Sequence, residues 1–340
     1  MSLKMDDIAK MANVSRSAVS LALNGKEGIS QATREKIFKI INKEGYKPLR
    51  KSKNGNSHQL SKICLLVISN KDGLVNSNYR SLPFFDRLVS SISISVSNFG
   101  GSLQIETIDI SEIESGINKL VEDGKVLPTI VLGTDLHAKD IGIIQTKLPD
   151  VVFVDTYFPE ISADFVTMDN YQGAHSAAKL ILSKGYKNIG YVASNKWISN
   201  FQERRRGFYQ ALFEVGMDVA PEHFYTISPT KLTPDKDELP EMLKDKLPEA
   251  LFCEDDYIAI RLIKECTNHG IKIPEKVAIM GFDDIYGGTL VMPELTTIHV
   301  PIDQIVNQAL HQLKTKVAWP KKWQPQKCLV ATCVVERSSL

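Results

Sequence analysis

The sequence predicts a molecule in two parts: a small all-α head, then a larger α/β body made of two doubly wound parallel-sheet lobes. Three observations predict it. The first sixty residues carry only short helical stripes. From Ile63 onward, short apolar runs alternate with segments of helical spacing, the pattern of parallel strands covered by helices on both faces. That second part, roughly 280 residues, exceeds one comfortable hydrophobic core, so two lobes are favoured over one.

In the head, Met5, Ile8, Ala9 and Ala12 follow helical spacing. Asn13–Val14 is a tight break, and Ser15 is a good N-cap for a second helix. On that helix Ala18, Val19, Ala22 and Leu23 make one apolar stripe, which leaves Arg16, Ser17, Ser20, Leu21 and Asn24 on the remaining surface. Ser30 caps a third helix striped by Ile37, Ile40 and Ile41; Gly45 can end it and Pro48 forbids its continuation. Arg50 to Lys62, RKSKNGNSHQLSK, is polar and basic without apolar period and reads as a linker. In the body, strand candidates include ICLLVIS (63–69), TIVLG (129–133), VVFVD (151–155), IGYVAS (189–194), ALFC (250–253) and VAIMGF (277–282). Helical stripes include Phe85–Leu88–Val89–Ile92–Val96, AAKLILSKGY (177–186) and YIAIRLIKEC (257–266).

The composition, 43% hydrophobic and 24% charged, is that of a soluble globular chain. No apolar run approaches the roughly 20 residues of a membrane span, and MSLKMDDIAK has no signal-peptide core. A cytoplasmic protein without membrane contact is expected. Five scattered cysteines, with no Cys-x-x-Cys, argue for reduced thiols and against a disulfide framework or a zinc site. Residues 1–60 hold 12 Lys and Arg against five Asp and Glu, a net of +7; the rest holds 29 against 35, a net of −6. A basic head on a mildly acidic body suggests a polyanion as partner of the head.

A helix, a tight turn and a second capped helix fit a helix-turn-helix, whose second helix enters the major groove. Arg16 can then pair a guanine bidentately, Ser17 can bond a base edge or phosphate, and Leu21 can touch a thymine methyl. For each, the plainer alternative is an ordinary surface side chain, and for Leu21 a contact with a neighbouring helix. The stretch DDIAKMANVSRSAVSLALNGKEGISQATREKIFKIINKEGYKP resembles the DNA-binding domain of the lactose/galactose-repressor family of bacterial transcription regulators. Asp7, Ala9, Ala12, Val14, Ser15, Val19, Ser20, Asn24, Ser30, Thr33, Arg34, Gly45, Tyr46 and Pro48 carry the resemblance. It implies DNA contacts from Ser15, Arg16, Ser17, Ser20, Leu21, Asn24, Arg34 and Tyr46, with Arg16, Ser17 and Leu21 as the main base readers. Ala18 stands for the family's usual Thr and Leu21 for a common Arg, so the preferred operator should differ from the commonest family half-site. In the linker the family usually forms a hinge helix that wedges a leucine into the minor groove. Here Gly55 falls at that place, so a weak or absent hinge helix is expected, with Arg50, Lys51 and Lys53 acting on phosphates.

The resemblance continues through PFFDRL (83–88), TMDNYQGA (167–174), RRRGFYQAL (204–212), EDDYIAI (254–260), IPEKVAIMGFDD (273–284), PELTTI (293–298) and VVERSS (334–339). It implies a fold like that of periplasmic sugar-binding proteins, two lobes joined by three crossovers, here near 160, 297 and 324. The domains are then a head at 1–47, a hinge at 48–62 and an effector-binding and dimerisation domain at 63–340. Its first lobe is 63–160 plus 298–323, and its second 161–297 plus 324–340.

Ligands of open parallel sheets bind beyond the carboxyl ends of strands. Asp155 ends VVFVD, Asp255 follows ALFC and Asp283 follows VAIMGF, so these carboxylates can converge. Carboxylates accept hydroxyl hydrogen bonds and a guanidinium donates a fork, which suits polyols and sugars. Arg204 matches the family's ligand-contacting Arg, and Phe84 and Met168 match pocket-lining positions. Asp255 replaces the family's usual Asn, which favours a donor-rich ligand and disfavours an anionic one. Helix capping or strand-end turns are the competing roles, and Asp256 and Asp284 are assigned to those.

The reading is of a transcriptional repressor whose affinity for a pseudo-palindromic double-stranded DNA operator is set by a small effector, a sugar or related polyol. An activator or co-repressor-dependent regulator of the same family is the alternative, and a carbohydrate-active enzyme a more distant one. No Walker A, G-x-S-x-G, H-E-x-x-H or G-x-G-x-x-G motif is present, so no catalytic residue, cofactor or metal is assigned. One head reads one half-site, so a homodimer is expected, with a tetramer as the next order of assembly. The apolar helix at 83–99 is the expected interface element.

Overall fold

The computed structural model describes residues 5–23, 28–44, 60–230 and 246–340. The chain divides between Ser57 and His58 into two compact units.

The first unit holds α1 (Met5–Ala12), α2 (Arg16–Leu23) and α3 (Gln31–Glu44). Its core is Ile8, Ala9, Ala12, Val19, Ala22, Ile37 and Ile41, with Leu23 and Ile40 packed at its margin. α1 ends because Asn13 turns left-handed, at φ 52°. The Asn13 and Val14 amides then bond the Lys10 and Ala9 carbonyls, which satisfies the helix's last acceptors. Ser15 and Ser30 accept from the Ala18 and Thr33 amides, at 3.1 and 3.2 Å, and so start α2 and α3.

The second unit contains two parallel sheets. Strands β1 (Lys62–Ser69), β2 (Ser102–Asp109), β3 (Thr129–Leu132), β4 (Val151–Val154) and β5 (Phe165–Met168) build the first together with β11 (Lys327–Val330). The strand order is β11-β5-β4-β3-β1-β2, parallel throughout. Helices α4 (Pro83–Asn98) and α10 (Ile302–Ala318) pack together on one face. Helices α5 (Ile113–Glu122) and α6 (Ala138–Lys147) cover the other. The second sheet, β7-β6-β8-β9, uses β6 (Ile189–Ser194), β7 (Phe224–Ile227), β8 (Ala250–Cys253) and β9 (Ala278–Met280). It lies between the pair α7 (Asn170–Ser183) and α8 (Ser199–Phe213) and the helix α9 (Asp256–Asn268). A short antiparallel pair, β10 (Thr297–His299) and β12 (Cys333–Val335), lies where the chain passes between lobes.

The lobe boundaries differ from the expectation. β5 and β11 belong to the first lobe's sheet, so the crossovers fall near 169, 300 and 331 rather than 160, 297 and 324. Both strands are only four residues long, and pairing rather than their own pattern decides their membership: β5 joins the sheet through β4, and β11 through β5. The surplus apolar surface of the 83–99 helix is also used internally. Phe84 and Phe85 face the gap between the lobes, while Leu88, Val89, Ile92 and Val96 are buried in the core. Ile94 remains 61% exposed.

All five cysteines are free. Among the described residues, no helix is long and apolar enough to cross a membrane.

Candidate functional site

On the head, Arg16 is exposed and meets Asp6 at 3.5 Å. Both side chains are more than half exposed, so the pair is weak and the guanidinium can exchange partners. Ser17 is exposed; Ser20 and Leu21 are half-buried. The Leu21 Cδ1 lies 3.3 Å from where a Cβ on Gly28 would stand, and Gly28 has φ +118°. Leu21 therefore packs one side against the turn that follows its own helix and leaves the other outward. Arg34 donates to the Ala22 carbonyl at 3.2 Å, which ties α3 to the last turn of α2. Asn24, Tyr46, Arg50, Lys51, Lys53 and Gly55 lie outside the described residues, as does most of the 48–62 hinge.

In the body, Asp155, Arg204, Asp255 and Asp283 line one crevice between the two lobes, with Phe84, Phe201, Asn200 and Tyr257. Backbone geometry delivers the carboxylates. Asp155 (φ 58°) and Asp283 (φ 119°) follow strand ends in left-handed conformations, which aspartate tolerates better than most residues and which turn the chain sharply there. Asp255 caps α9 by accepting from the Ile258 amide at 2.7 Å. Arg204 projects from α8. Its Nε donates to Asn170 Oδ1 at 2.9 Å, Nη1 to the Glu254 carbonyl at 2.5 Å and Nη2 to Asp283 at 2.9 Å. The guanidinium also stacks 3.7 Å from the Phe282 ring centre. Asp155 accepts from Thr134 at 2.5 Å and from Asn200 at 2.9 Å. Phe84 N–H donates to the Tyr257 hydroxyl at 3.0 Å and joins the lobes directly.

Met168 is buried beside this crevice rather than on its wall. It borders a smaller apolar cavity with Phe84, Leu88, Asp155, Ile302 and Ile305. Asp256 and Asp284 serve the scaffold. Asp256 accepts from Thr297 at 2.6 Å and from the Ile285 amide at 2.9 Å, and Asp284 pairs with Arg337 and His299.

Several polar partners were not visible to sequence reasoning: Thr134, Asn170, Asn200, Tyr257 and the pair Arg205–Glu254. Glu254 is fully buried and takes bonds from Arg205, Tyr191 and the Ser194 amide. Its backbone carbonyl receives Arg204, so this pair holds one of the anchors of the crevice arginine. The run EDD was the only local signal, and it does not say which of the three acids turns inward.

Burial pushes the carboxyls up: Asp155 to about 7, Asp255 to about 8 with the Asp283 charge adding, and Asp283 to about 6 with Arg204 opposing. A raised carboxyl holds its proton more tightly folded than unfolded. Its contribution to stability is complete below the unfolded pKa, about 4, and is lost as pH rises through the folded values. Asp255→Asn keeps an N-cap acceptor and removes the titration. Its melting temperature, relative to wild type, is expected to be higher at pH 8 than at pH 5. Parallel melting curves at the two pH values would refute this.

The cavity is narrow, about 30 Å³, room for roughly two waters. An open polar depression bordered by Ser69, Lys71, Asn76 and Asp109 adjoins it at Leu82 and Thr230. Among the described residues no group of His, Cys, Asp or Glu side chains could hold a metal ion.

A helix-turn-helix unit in one chain with two parallel-sheet lobes around a buried polar crevice defines a class, the DNA-binding regulator with a ligand-binding body. Comparison with known proteins agrees. Residues 4–48 match the model of bacterial regulatory proteins, lacI family, and residues 178–340 match that of the periplasmic binding protein-like domain. The chain belongs to the lacI family and is a DNA-binding transcriptional regulator. It is 28% identical over 312 residues to the HTH-type transcriptional repressor CytR of Escherichia coli K12, covering 90% of this chain and 87% of the relative. It is 27% identical over 340 residues to the ribose operon repressor of Haemophilus influenzae, covering 98% of each. Its fold is similar to that of a transcriptional regulator CelR–cellobiose complex (TM-score 0.69, 21% identity, 99% and 100% covered). It is also similar to that of the Lac repressor dimer bound to operator and an anti-inducer (TM-score 0.69, 17% identity, 100% and 99% covered).

Proposed function

We propose that this regulator is a repressor that binds a pseudo-palindromic operator as a homodimer. A small ligand, a sugar or related polyol held between the body's lobes, sets its affinity for DNA. The carrying observation is the buried constellation of Arg204 with Asp155, Asp255 and Asp283, which no packing requirement explains, in a crevice whose other walls are mostly apolar and aromatic side chains with Thr134, Asn200 and Thr230. The relatives' names, a ribose operon repressor and a complex with cellobiose among them, favour a sugar. A cavity of about 30 Å³ does not admit a sugar ring, so entry needs the lobes to part. A ligand that binds one inter-lobe geometry more tightly then shifts the population toward it, and the coupling to DNA is a differential affinity. Such a protein works in the cytoplasm.

A second copy would cover exposed apolar surface at Ile94 and on the loop of Tyr286, Leu290 and Met292, each at least 61% exposed. Leu290→Glu is expected to shift sedimentation from dimer toward monomer; an unchanged dimer would place the interface elsewhere.

The test is selection of bound duplexes from a random pool with the full chain, repeated with a panel of free sugars, nucleosides and sugar phosphates. Palindromic enrichment altered by a panel member is expected; no palindromic enrichment would sink the operator reading. In the same selection Leu21→Arg is expected to change the preferred base at one symmetric position. An unchanged preference would assign Leu21 wholly to its packing against the Gly28 turn.

A further inference from the structure

The crevice holds more carboxyl groups than its arginine can pair with. Three aspartates line it, and among the described residues Arg204 is the one cation that does. Arg204 reaches a single carboxylate, that of Asp283, because its other donors go to Asn170 and the Glu254 carbonyl. Asp155 has both oxygens held, but by the neutral Thr134 hydroxyl and Asn200 amide. Asp255 gives one oxygen to the Ile258 amide, and its second takes no hydrogen bond from the described residues. The second oxygen of Asp283 is in the same position. Both side chains are more than nine-tenths buried and border the cavity.

The neighbouring charges offset the carboxyls only in part. Arg204 and Arg261 oppose the rise of the Asp255 carboxyl through space, but no hydrogen bond joins either guanidinium to Asp255, and Arg261 donates to the Ser228 carbonyl. Arg205 is paired with Glu254, and Arg337 with Asp284. Asp256, next to Asp255, is occupied by Thr297 and the Ile285 amide and adds a further acid nearby. Hydroxyl groups would satisfy the open oxygens as hydrogen-bond acceptors but not as charges. An ammonium supplies three donors and the opposite charge together, and a buried carboxylate is costly without that charge.

We propose that the ligand of this crevice carries a positively charged nitrogen, as an amino sugar or other amine-bearing polyol does, and that Asp255 selects for it. The inference rests on the ligand-binding role proposed above and specifies the chemistry of that ligand. Burial, which raises all three carboxyls, acts in the same direction: a bound cation displaces the protons they retain.

The test uses the full chain and matched pairs of probes: D-glucosamine with D-glucose, D-galactosamine with D-galactose, D-mannosamine with D-mannose. Calorimetric titration at pH 7 in two buffers of different ionisation heat reads affinity and proton release. At least one amine is expected to bind at least about tenfold tighter than its hydroxyl twin and to release protons. Asp255→Asn is expected to abolish that preference while retaining its melting transition. A hydroxyl twin that binds as tightly as its amine overturns the inference, as does a preference that survives Asp255→Asn. Failure of every amine in the millimolar range overturns it too. The regulator reading is judged separately: a neutral panel sugar that alters duplex selection would keep that reading and end this one.

Discussion

Arg204→Met is expected to abolish ligand-dependent change in DNA binding and to destabilise the body by about 3–5 kcal/mol. A fall in melting temperature of about 5–10 °C should accompany it. The substitution fills similar volume but removes the only cation that lines the crevice among the described residues, and Asp283 loses its 2.9 Å partner inside a site where its side chain is 8% exposed. The Glu254 carbonyl and Asn170 Oδ1 each lose a donor as well. Because α2 and its caps belong to the other compact unit, duplex binding in the absence of ligand should persist. Thermal melts and a duplex-binding titration check both parts. A melting temperature within 1–2 °C of wild type, roughly the shift from half a kcal/mol, would show that the arginine is not holding the carboxylates in place.

Gly207→Ala should be nearly as damaging, although it adds one methyl group. A Cβ at Gly207 would stand 2.1 Å from the Tyr171 carbonyl oxygen and 2.9 Å from its carbon. Those are backbone atoms of α7, so no rotamer change relieves the overlap and the two helices must move apart. Overpacking of this kind costs about 3 kcal/mol, more than the helix propensity gained by replacing glycine, about 1 kcal/mol. Ligand affinity should fall too. Arg204 is one turn before Gly207, and its partner Asn170 is the residue before Tyr171, so separating α7 from α8 lengthens their 2.9 Å bond. Loss of stability without loss of affinity would mean that the crevice adjusts independently of this helix crossing.

Local chemistry explains which features could be read in advance. Ser15 and Ser30 cap helices because a hydroxyl beside a helix start has free amides within reach, whatever the rest of the chain does. Continuous apolar runs such as ICLLVIS form strands buried on both faces for a similarly local reason. Strand-end aspartates could be nominated because parallel sheets present ligands at that edge. The assignment of β5 and β11 to the first lobe could not be read, since each is a four-residue run placed by long-range pairing, β5 with β4 and β11 with β5. Nor could the ring of partners around Arg204, whose bonds reach 34, 50 and 79 residues along the chain.

The sequence by itself determined the elements: the capped helices, the alternation of strand and helix, the basic head and the acids at strand ends. These follow from periodicity, capping and charge, all short-range properties. The sequence also nominated Asp155, Asp255 and Asp283 for one crevice and Asp256 and Asp284 for capping and turns. Only the tertiary structure decided their partners: Thr134 and Asn200 for Asp155, Arg204 for Asp283, Thr297 and the Ile285 amide for Asp256, and Arg337 and His299 for Asp284. Adjacent residues of identical chemistry were separated by backbone direction and by partners far away in sequence. The excess of buried carboxyls over paired cations is likewise a property of the folded crevice, because only folding gathers these acids and removes the water that would have solvated them.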